Sequence, residues 1–569
     1  MKTGNYFNGK YGWIALLALL VLANLAAGIW HLRVDLTAER RYTLSESTRR
    51  LLGSLPEPVR VEVLMDGDLP AGFKKLAGST NDLLSEFKEF GKGNIRFTFK
   101  KPLEGLSNSA RANLMDSLQR LGLSPMNVKA QSKGWGGKEE QLVYPGAVVS
   151  AGGRITAIDF LQGQSAVDGI NSLNNAEALL EYKLASAIHK VTQEAIPTVG
   201  YLLGNGEPFT YNVYDLVERN IKKDFGFGFL PIDSLRFIPP VFQAIFIVKP
   251  IRSFSEDQKL KIDQYIMHGG KVIWMIDNLY ADMDSLTRSQ NEFIAFDRGL
   301  NLDDQLFKYG VRMERDLVQD ANCDQLPSVI GQMGGKPQME LLSWPYSPLL
   351  MPSSNHPIAK NLDYVLAQFP GSLDTVKAPG IKKTMLLTTS DATRVLSTPA
   401  RVAWNFIRTK EDASSFNHPP VMVAVLLEGR FSSLFANRLS KARADSLAAI
   451  SQPFIARSPG DNKMIVISNG EIAMNAFNKQ EGPLPVGMNP YTKYKYANSE
   501  FLMNALAYLV DNTGIMETRS KDYTLRLLDK KKLEANKSLW QVVNIVLPMA
   551  LIVLFGLLYQ WARKRRYQQ

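Results

Sequence analysis

Residues 255–277, SEDQKLKIDQYIMHGGKVIWMID, are the stretch of sequence that indicates the fold most directly. Ser255 and Gln258 have the spacing of a capping box, which closes the first turn of a helix. The Gly–Gly pair at 269–270 ends that helix, and residues 272–276 follow as an unbroken apolar run. Such a run is typical of a parallel strand covered on both faces. A helix that leads straight into a buried strand predicts a doubly wound α/β sheet.

The sequence before this stretch carries the same alternation. Residues 199–203 and 244–248 are apolar runs, and between them a Gly-rich turn is followed by a helix predicted around 213–219. A long amphipathic helix over 172–191 precedes them, with apolar residues three and four positions apart. We therefore predict an α/β sheet domain over 172–320, of the flavodoxin/amidotransferase-like type.

The regions on either side of this domain are interpreted as further folded units. Residues 35–165 are predicted to form a small α+β module, and residues 321–515 a further α/β region that completes the globular part. The predicted strands are 59–65 and 95–99 in the first unit, and 421–427 and 464–468 in the second. Residues 323–420 have mixed periodicity and predict no particular element.

Two uncharged apolar stretches, 11–30 and 540–561, stand near the two ends of the chain. About 20 helical residues span the hydrocarbon core of a bilayer, so each stretch is long enough to cross it. Tryptophan residues, which favour the membrane interface, lie near the ends of both stretches. A cleaved signal peptide is the alternative for the first stretch, and a buried core helix for the second. We predict two transmembrane helices that flank the globular part.

Charged residues near the termini predict the orientation of these helices. Lys2 and Lys10 precede the first helix, and the tail 562–569 carries four cations, which favour the cytoplasmic side. The basic neck 516–539 carries cations on the other side of the second helix. The distribution of positive charge around that helix alone therefore does not decide its orientation. Because two spans place both termini on one side, we expect both termini in the cytoplasm and the large domain outside it.

Composition argues against several classes of function. The net charge is +11 on 569 residues, and Lys and Arg away from the membrane flanks are mixed with Asp and Glu, which argues against nucleic-acid binding. The single cysteine, Cys323, excludes an internal disulfide. The five histidines are scattered without metal-ligand spacing, so we expect no structural zinc and no cofactor.

Candidate ligand residues follow two of the predicted strands. Open α/β sheets bind ligands just outside the carboxyl ends of their strands. A tight turn or a helix cap that serves only the fold is the alternative for these positions. The residues hypothesised to form a ligand or partner loop are Gly204, Asn205, Gly206, Glu207 and Asp277.

Catalytic motifs are missing from the sequence. No Gly-Lys pair precedes Ser or Thr, so there is no Walker A loop, and no G-x-S-x-G occurs. Cys323 has no strand directly before it. Glu428, Gly429 and Arg438 are further candidate site residues. Burial of the strand that precedes them explains the run of residues ending at Gly429 equally well. We therefore expect that the chain is not an enzyme and does not hydrolyse ATP itself.

Each apolar stretch contains a polar amide, Asn24 in the first and Asn544 in the second. An amide in hydrocarbon is costly unless it finds a hydrogen-bond partner. We therefore expect both side chains to face protein, either the other span or a helix of a partner.

Several local motifs resemble one known family. Residues 35–37 and 41–45 match the pattern D-L-T-x-x-x-R-Y-T-L-S, and the resemblance continues at 66–74, 263–266, 301–306, 356–358, 426–429 and 504–511. These motifs are similar to those of GldG, the family of gliding motility-associated ABC transporter substrate-binding proteins of Bacteroidetes. The resemblance extends over nearly the whole chain.

The resemblance implies two spans of the inner membrane around a periplasmic domain that partners a separate ATPase and a polytopic permease. Two loops depart from the family pattern. Asn205 stands where the family has the His of G-H-G-E, and Asn469, Gly470 and Glu471 stand where it has D-G-D. These departures leave open whether either loop carries a ligand.

Three functions remain open at this point. The first is an accessory or substrate-binding subunit of an ABC transporter, which would co-purify with an ATPase and a permease. The second is a membrane-tethered periplasmic enzyme, whose turnover would depend on Cys323 or Asp277. The third is a structural scaffold of a gliding or secretion machinery, whose assembly would survive loss of ATPase activity.

Overall fold

The computed structural model describes residues 17–22, 24, 43–131, 138–161, 169–289, 292–407, 409–449, 452–520 and 537–567. The chain forms two units, Met1–Lys521 and Asp522–Gln569. The described part of the second unit is one helix. The first unit holds all of the sheets.

A small α+β module opens the first unit. Its elements are α1 (Glu46–Gly53), β1 (Val59–Val63), α2 (Ala71–Phe90), β2 (Ile95–Phe99), α3 (Asn108–Arg120), the hairpin β3 (Met126–Gln131) and β4 (Lys138–Val143), β5 (Gly146–Ala151) and β6 (Arg154–Asp159). Four strands form a sheet in the order β2-β1-β5-β6. Leu84 and Phe87 of α2 share a core with the fully buried Val59 and Val61 of β1. The secondary structure of this region is α+β, as predicted.

Two helices, α4 (Gly169–Ala178) and α5 (Leu180–Thr192), stand where one helix was predicted over 172–191. The backbone N–H of Leu179 is shared between the carbonyls of Asn175 and Ala176, which tightens the last turn of α4 and separates the two helices. Leu184 and Ile188 of α5 are buried in the core of the α+β module. This segment was predicted to belong to the sheet domain 172–320. Its helix α5 packs instead against the preceding α+β module.

The largest sheet begins with the elements that the opening stretch predicts. They are β7 (Thr198–Leu203), β8 (Gly226–Pro231), β9 (Phe242–Val248), α6 (Glu256–Met267) and β10 (Lys271–Met275). The capping box of α6 is present: Ser255 Oγ accepts from Gln258 N at 3.2 Å, and Gln258 Oε1 accepts from Ser255 N at 2.9 Å. The strands β7, β8, β9 and β10 pair in parallel, which confirms the predicted parallel arrangement.

The second half of the first unit has more strands than the sequence predicted. Its elements are α7 (Met283–Arg288), β11 (Glu292–Ala295), α8 (Asp303–Tyr309), β12 (Val311–Met313), β13 (Asp316–Asp320), β14 (Cys323–Met333), β15 (Lys336–Pro352), β16 (Val365–Leu366), β17 (Leu373–Thr375), β18 (Ile381–Thr388), β19 (Thr393–Ser397), β20 (Ala400–Ala403), α9 (Lys410–Ser414), β21 (Met422–Gly429), α10 (Lys441–Ala449), β22 (Asn462–Ile467), β23 (Phe477–Asn478), β24 (Gly482–Pro483) and α11 (Asn498–Val510).

Strands from both predicted α/β regions share one sheet. Its main path runs β14-β15-β18-β21-β22-β10-β9-β7-β8. Within it β22 pairs in parallel with β10, whereas β21 and β18 are antiparallel. The predicted strands 421–427 and 464–468 are therefore present as β21 and β22, and they extend the sheet that was predicted over 172–320.

Both faces of this sheet are covered. Phe246 and Ile247 are neighbours in β9 but belong to different cores, because successive side chains of a strand point to opposite faces. Phe501 and Leu506 of α11 fill the first core, while Ile262 of α6 lies in the second. The mixed α/β class is confirmed by these two layers of helices.

The helix predicted around 213–219 forms as a short 3₁₀ turn, Thr210–Val213, followed by a π-helical segment, Asp215–Ile221. Side chains compete for its backbone groups. Asp215 N donates to Asn475 Oδ1 at 3.1 Å, and Asn220 Nδ2 donates to the carbonyl of Asp215 at 2.7 Å. These bonds replace part of the regular helical ladder.

The described part of the second unit is the helix α12 (Lys537–Tyr567), which contains Pro548. Its segment Ser538–Arg565 is, among the described residues, the single helix long and apolar enough to cross a membrane. In the predicted first span, residues 17–22 and 24 are helical. The rest of that span lies outside the described residues, so the predicted span over 11–30, and with it the arrangement with two spans, stays a prediction.

Phe246 tests the packing of the large sheet. Its side chain is fully buried in a central strand, so Phe246→Ala should destabilise the folded state by about 3–5 kcal/mol through lost burial and a residual cavity. Phe307→Ala is the matched control, since Phe307 is 53% exposed, and it should change stability by less than about 0.5 kcal/mol. Urea unfolding of the full chain in detergent micelles gives both values. Equal losses of unfolding free energy in the two variants would contradict the placement of Phe246 in the buried core of the sheet.

Candidate functional site

The carboxyl ends of four parallel strands meet at one edge of the large sheet. The strands are β7, β9, β10 and β22, and the segments that leave them are 204–207, 249–252, 277–278 and 468–471. This is the edge at which open α/β sheets bind ligands. The candidate loop and Asp277 both lie there, as predicted.

The turn 204–207 is braced by its own carboxylate. Glu207 Oε2 accepts from the backbone N–H of Gly204 at 2.9 Å and of Asn205 at 2.8 Å. Gly204 and Gly206 have φ of +149° and +82°, values that favour glycine. Asn205 Nδ2 donates to Gln258 Oε1 at 3.1 Å, which ties the turn to the capping box of α6. Much of the turn's hydrogen-bonding capacity therefore serves the fold.

A buried ionic cluster lies at the ends of β9, β10 and β22. Lys249 Nζ is 3.8 Å from Asp277 Oδ2 and makes an ion pair with Glu471. Asp277 Oδ1 accepts from the backbone N–H of Gly470 at 2.6 Å and from Asn469 Nδ2 at 3.2 Å. The side chains of Lys249 and Asp277 are only 11% and 4% exposed. The structure therefore joins Asp277 to the loop 469–471.

A glycine is required where this loop passes Lys249. A Cβ atom added to Gly470 would lie 2.5 Å from Lys249 Cβ, closer than side chains approach. Lys249 itself has φ of +45°, an uncommon value for a residue other than glycine. Sequence reasoning missed Lys249, although its position directly after the apolar run of β9 was the available signal.

Burial governs the protonation of this edge. It raises the pKa of Asp277 to about 6, against the opposing attraction of Lys249. Burial also raises the pKa of the Glu207 carboxyl, which three backbone N–H groups partly offset. The pKa of Lys249 is raised because Glu471 and Asp277 outweigh the cost of burial. Lys249 is therefore charged at neutral pH, and Asp277 is the carboxyl that takes up a proton as the pH falls through about 6.

Three buried oxygens at this edge accept no hydrogen bond from the described residues: Asn205 Oδ1, Glu207 Oε1 and Asp277 Oδ2. A buried acceptor without a donor is costly, by about 1–3 kcal/mol. The edge thus offers acceptors to a group that carries N–H or O–H donors. Among the described residues no set of three or more His, Cys, Asp or Glu side chains is arranged to hold a metal ion.

The other sequence candidates have structural partners elsewhere. Glu428 accepts from Tyr508 Oη at 2.7 Å, and Arg438 donates to Asp304 at 2.7 Å. Burial and the nearby Asp320 raise the pKa of the Cys323 thiol to about 12, which makes it a poor nucleophile at neutral pH. Gly429 ends β21. Asn24 and Asn544 are helical residues whose contacts within a membrane stay a prediction.

Lys249→Met tests the ionic cluster. The substitution leaves Asp277 and Glu471 buried without their cation, so we expect it to destabilise the fold by about 3–5 kcal/mol at pH 8. Burial raises the folded-state pKa of Asp277 above its unfolded value, so the cost of its buried charge is relieved when falling pH protonates it. In the unaltered chain this occurs at about pH 6, and loss of the Lys249 cation moves it to higher pH. The deficit should therefore shrink at pH 5. Thermal unfolding of the full chain at both pH values measures it.

Lys493→Met is the control, since Lys493 forms an exposed ion pair with Glu481. It should cost less than about 1 kcal/mol at either pH. A Lys249→Met deficit of the same size at pH 5 and pH 8 would show that Asp277 does not titrate in this range.

Comparison with known proteins gives two family matches. The family model described as an ABC-type uncharacterized transport system matches residues 196–505, and a domain of unknown function (DUF7088) matches residues 38–150. No curated protein is significantly similar in sequence to this chain. A solved structure titled "mmIFT52 N-terminal domain" is similar at 13% identity and a TM-score of 0.30, covering 55% of this chain and 98% of that one.

The first family match includes the whole parallel part of the large sheet and the edge built around Lys249 and Asp277. It extends over more than half of the chain. The chain therefore belongs to the ABC-type uncharacterized transport system family, the auxiliary components of ABC transporters.

Proposed function

We propose that this protein is a membrane-anchored, extracytoplasmic accessory or substrate-binding subunit of an ABC transporter that supports gliding motility. The family match over residues 196–505 carries the proposal, because it places the sheet domain in an ABC-type transport system. The link to gliding rests on the GldG-like motifs, among them 35–45 and 66–74. The subunit works with a separate permease and a separate cytoplasmic ATPase.

The absence of a Walker A loop from the sequence supports a division of labour. The phosphate-binding loop and its lysine supply the affinity of such transporters for ATP, and this chain has neither. The ATPase subunit therefore provides the energy. This chain contributes a domain that receives either a ligand or motion from the permease, and it carries out no catalysis.

The apolar helix α12 supports membrane anchoring. The most apolar 18-residue window of its segment Ser538–Arg565 has a mean hydropathy of 2.5, and no residue of that window is buried. In our proposal it crosses the inner membrane, a second span over 11–30 does the same, and the large domain lies in the periplasm. Asn24 and Asn544 then contact the permease within the bilayer.

A structural scaffold is the second candidate function. The buried hydrogen bonds of the turn 204–207 favour it, because that turn is occupied largely by its own groups. Assembly of the machinery in cells whose ATPase is inactive separates the two candidates. If the protein is a scaffold, the machinery still assembles in these cells. If it is a coupled transporter subunit, the machinery fails to assemble even though the permease is still bound.

Co-purification tests the proposal. The tagged full chain, extracted from native membranes in mild detergent, should bring down one ABC ATPase and one polytopic permease, identified by mass spectrometry. Replacing Asn24 and Asn544 by Leu should lower permease recovery modestly, since such intramembrane bonds average about 0.6 kcal/mol each. Asn417→Leu, an exposed change in the first unit, is the control. Recovery of neither subunit with the unaltered chain would refute the proposal.

Reporter fusions test the topology. A periplasm-active reporter should be inactive when fused after Gln569 and active when fused at Gly335, which lies in the exposed turn between β14 and β15. A cytoplasm-active reporter should give the reverse pattern. Strong periplasmic activity after Gln569 together with none at Gly335 would invert the proposed orientation.

A further inference from the structure

A cavity of about 530 Å³ lies away from the carboxyl edge of the large sheet, and none of the edge residues lines it. It is built on β13, β15, β19 and β20, on the segment that follows β20, and on residues 412–416. Its volume is within the range of small-molecule sites, roughly 300–1,000 Å³. The lining residues used below are Gln319, Tyr346, Arg394, Arg401, Trp404 and Phe406.

One wall of this cavity is aromatic. The rings of Trp404 and Phe406 stack with centroids 5.8 Å apart and planes at 15°, and Trp344 lies behind Trp404 at 5.3 Å. Trp404 and Phe406 are half-buried, so part of each ring faces the cavity. A flat aromatic surface of this kind accommodates the C–H face of a ring-shaped ligand.

Gln319 lines the cavity and carries an unsatisfied amide oxygen. Its side chain lies on β13 opposite Arg394 of β19, and the residue is 3% exposed. Its amide oxygen is buried and accepts no hydrogen bond from the described residues. Leaving such a group without a partner costs about 1–3 kcal/mol, so the cavity is suited to a ligand with hydroxyl or amide groups.

The charged residues that line the cavity are Arg394, Arg401 and Asp412, and the carboxylate of Asp412 accepts from the backbone N–H of Thr409 at 3.0 Å. The guanidinium of Arg394 lies 4.4 Å from the centre of the Phe416 ring and contacts the hydroxyl of Ser415. Both of these contacts are uncharged, whereas Arg401 is paired with Glu292. Arg394 can therefore hold a carboxylate in the planar, two-pronged geometry that guanidinium groups favour.

We propose that this cavity binds an acidic saccharide. A sugar ring combines the three required features: a C–H face for Phe406 and Trp404, hydroxyl groups for the Gln319 amide, and, in an acidic sugar, a carboxylate for Arg394. A neutral sugar lacks the last of these, and a short acidic peptide lacks the ring face. The proposal rests on this geometry and is independent of the transporter role.

Titration calorimetry with the full chain in detergent micelles provides the test. Tri-galacturonic acid is the acidic probe, maltotriose the neutral probe and the tripeptide Glu-Asp-Glu the peptide probe. We expect saturable binding of tri-galacturonic acid, at least about tenfold tighter than that of either other probe, a factor equivalent to about 1.4 kcal/mol. Quenching of tryptophan fluorescence, expected from contact with Trp404, is the second readout.

Variants assign the binding to this cavity. Arg394→Gln and Gln319→Leu should each weaken tri-galacturonic acid binding by about tenfold or more. Phe406→Ala, at a half-buried position, should also weaken this binding. The controls are Arg288→Gln and Gln338→Leu, both at exposed positions, and they should leave the affinity unchanged. Unchanged thermal unfolding of each variant shows that the fold is intact.

Three results would overturn the proposal. They are no saturable binding of tri-galacturonic acid, equal or tighter binding of maltotriose or of the tripeptide, and full binding retained in folded Arg394→Gln and Phe406→Ala variants. The second result would reassign the cavity to a neutral sugar or a peptide. None of these results bears on whether an ATPase and a permease co-purify with the chain.

Discussion

The parallel pairing of β10 with β22 is the contact on which the candidate site depends. Val272 lies opposite Met464 and Met275 opposite Ile467, and all four side chains are fully buried. This register fixes where each strand ends, and so it brings Asp277 to the backbone of Gly470 and both to Lys249. A shift of one residue would turn every side chain of β22 to the opposite face and separate these groups.

Local sequence signals were sufficient for the elements that depend on near neighbours. The capping box at Ser255 and the apolar run 272–276 both reflect interactions within a few residues, and both are present. The place of β22 beside β10 could not be predicted, because an apolar run does not reveal its partner strand. Lys249 was missed for the same reason: it gains meaning only when tertiary pairing brings Asp277 and Glu471 to it.

The two candidate regions differ in what they leave free. At the carboxyl edge most polar groups form hydrogen bonds with one another. A few acceptor oxygens, such as Glu207 Oε1, have no hydrogen-bond donor among the described residues. In the aromatic cavity the unsatisfied groups include the Gln319 amide oxygen and lie beside exposed ring surface. The position of the turn 204–207 and of Asp277 directly after predicted strands indicated the first region. Periodicity and spacing gave no signal for the second, since its lining side chains come from five separate segments.

The order of strands in the large sheet has a consequence for the growing chain. The edge of β10 stays unpaired until synthesis has passed Ile467, the last residue of its neighbour β22. A long-range parallel pair of this kind forms slowly, because the intervening chain must be ordered first. An open apolar strand edge invites pairing with other chains in the meantime. Newly made molecules of this protein therefore carry an edge that is prone to aggregation, and this exposure ends only when β22, in the last quarter of the chain, has been synthesised and has paired with β10.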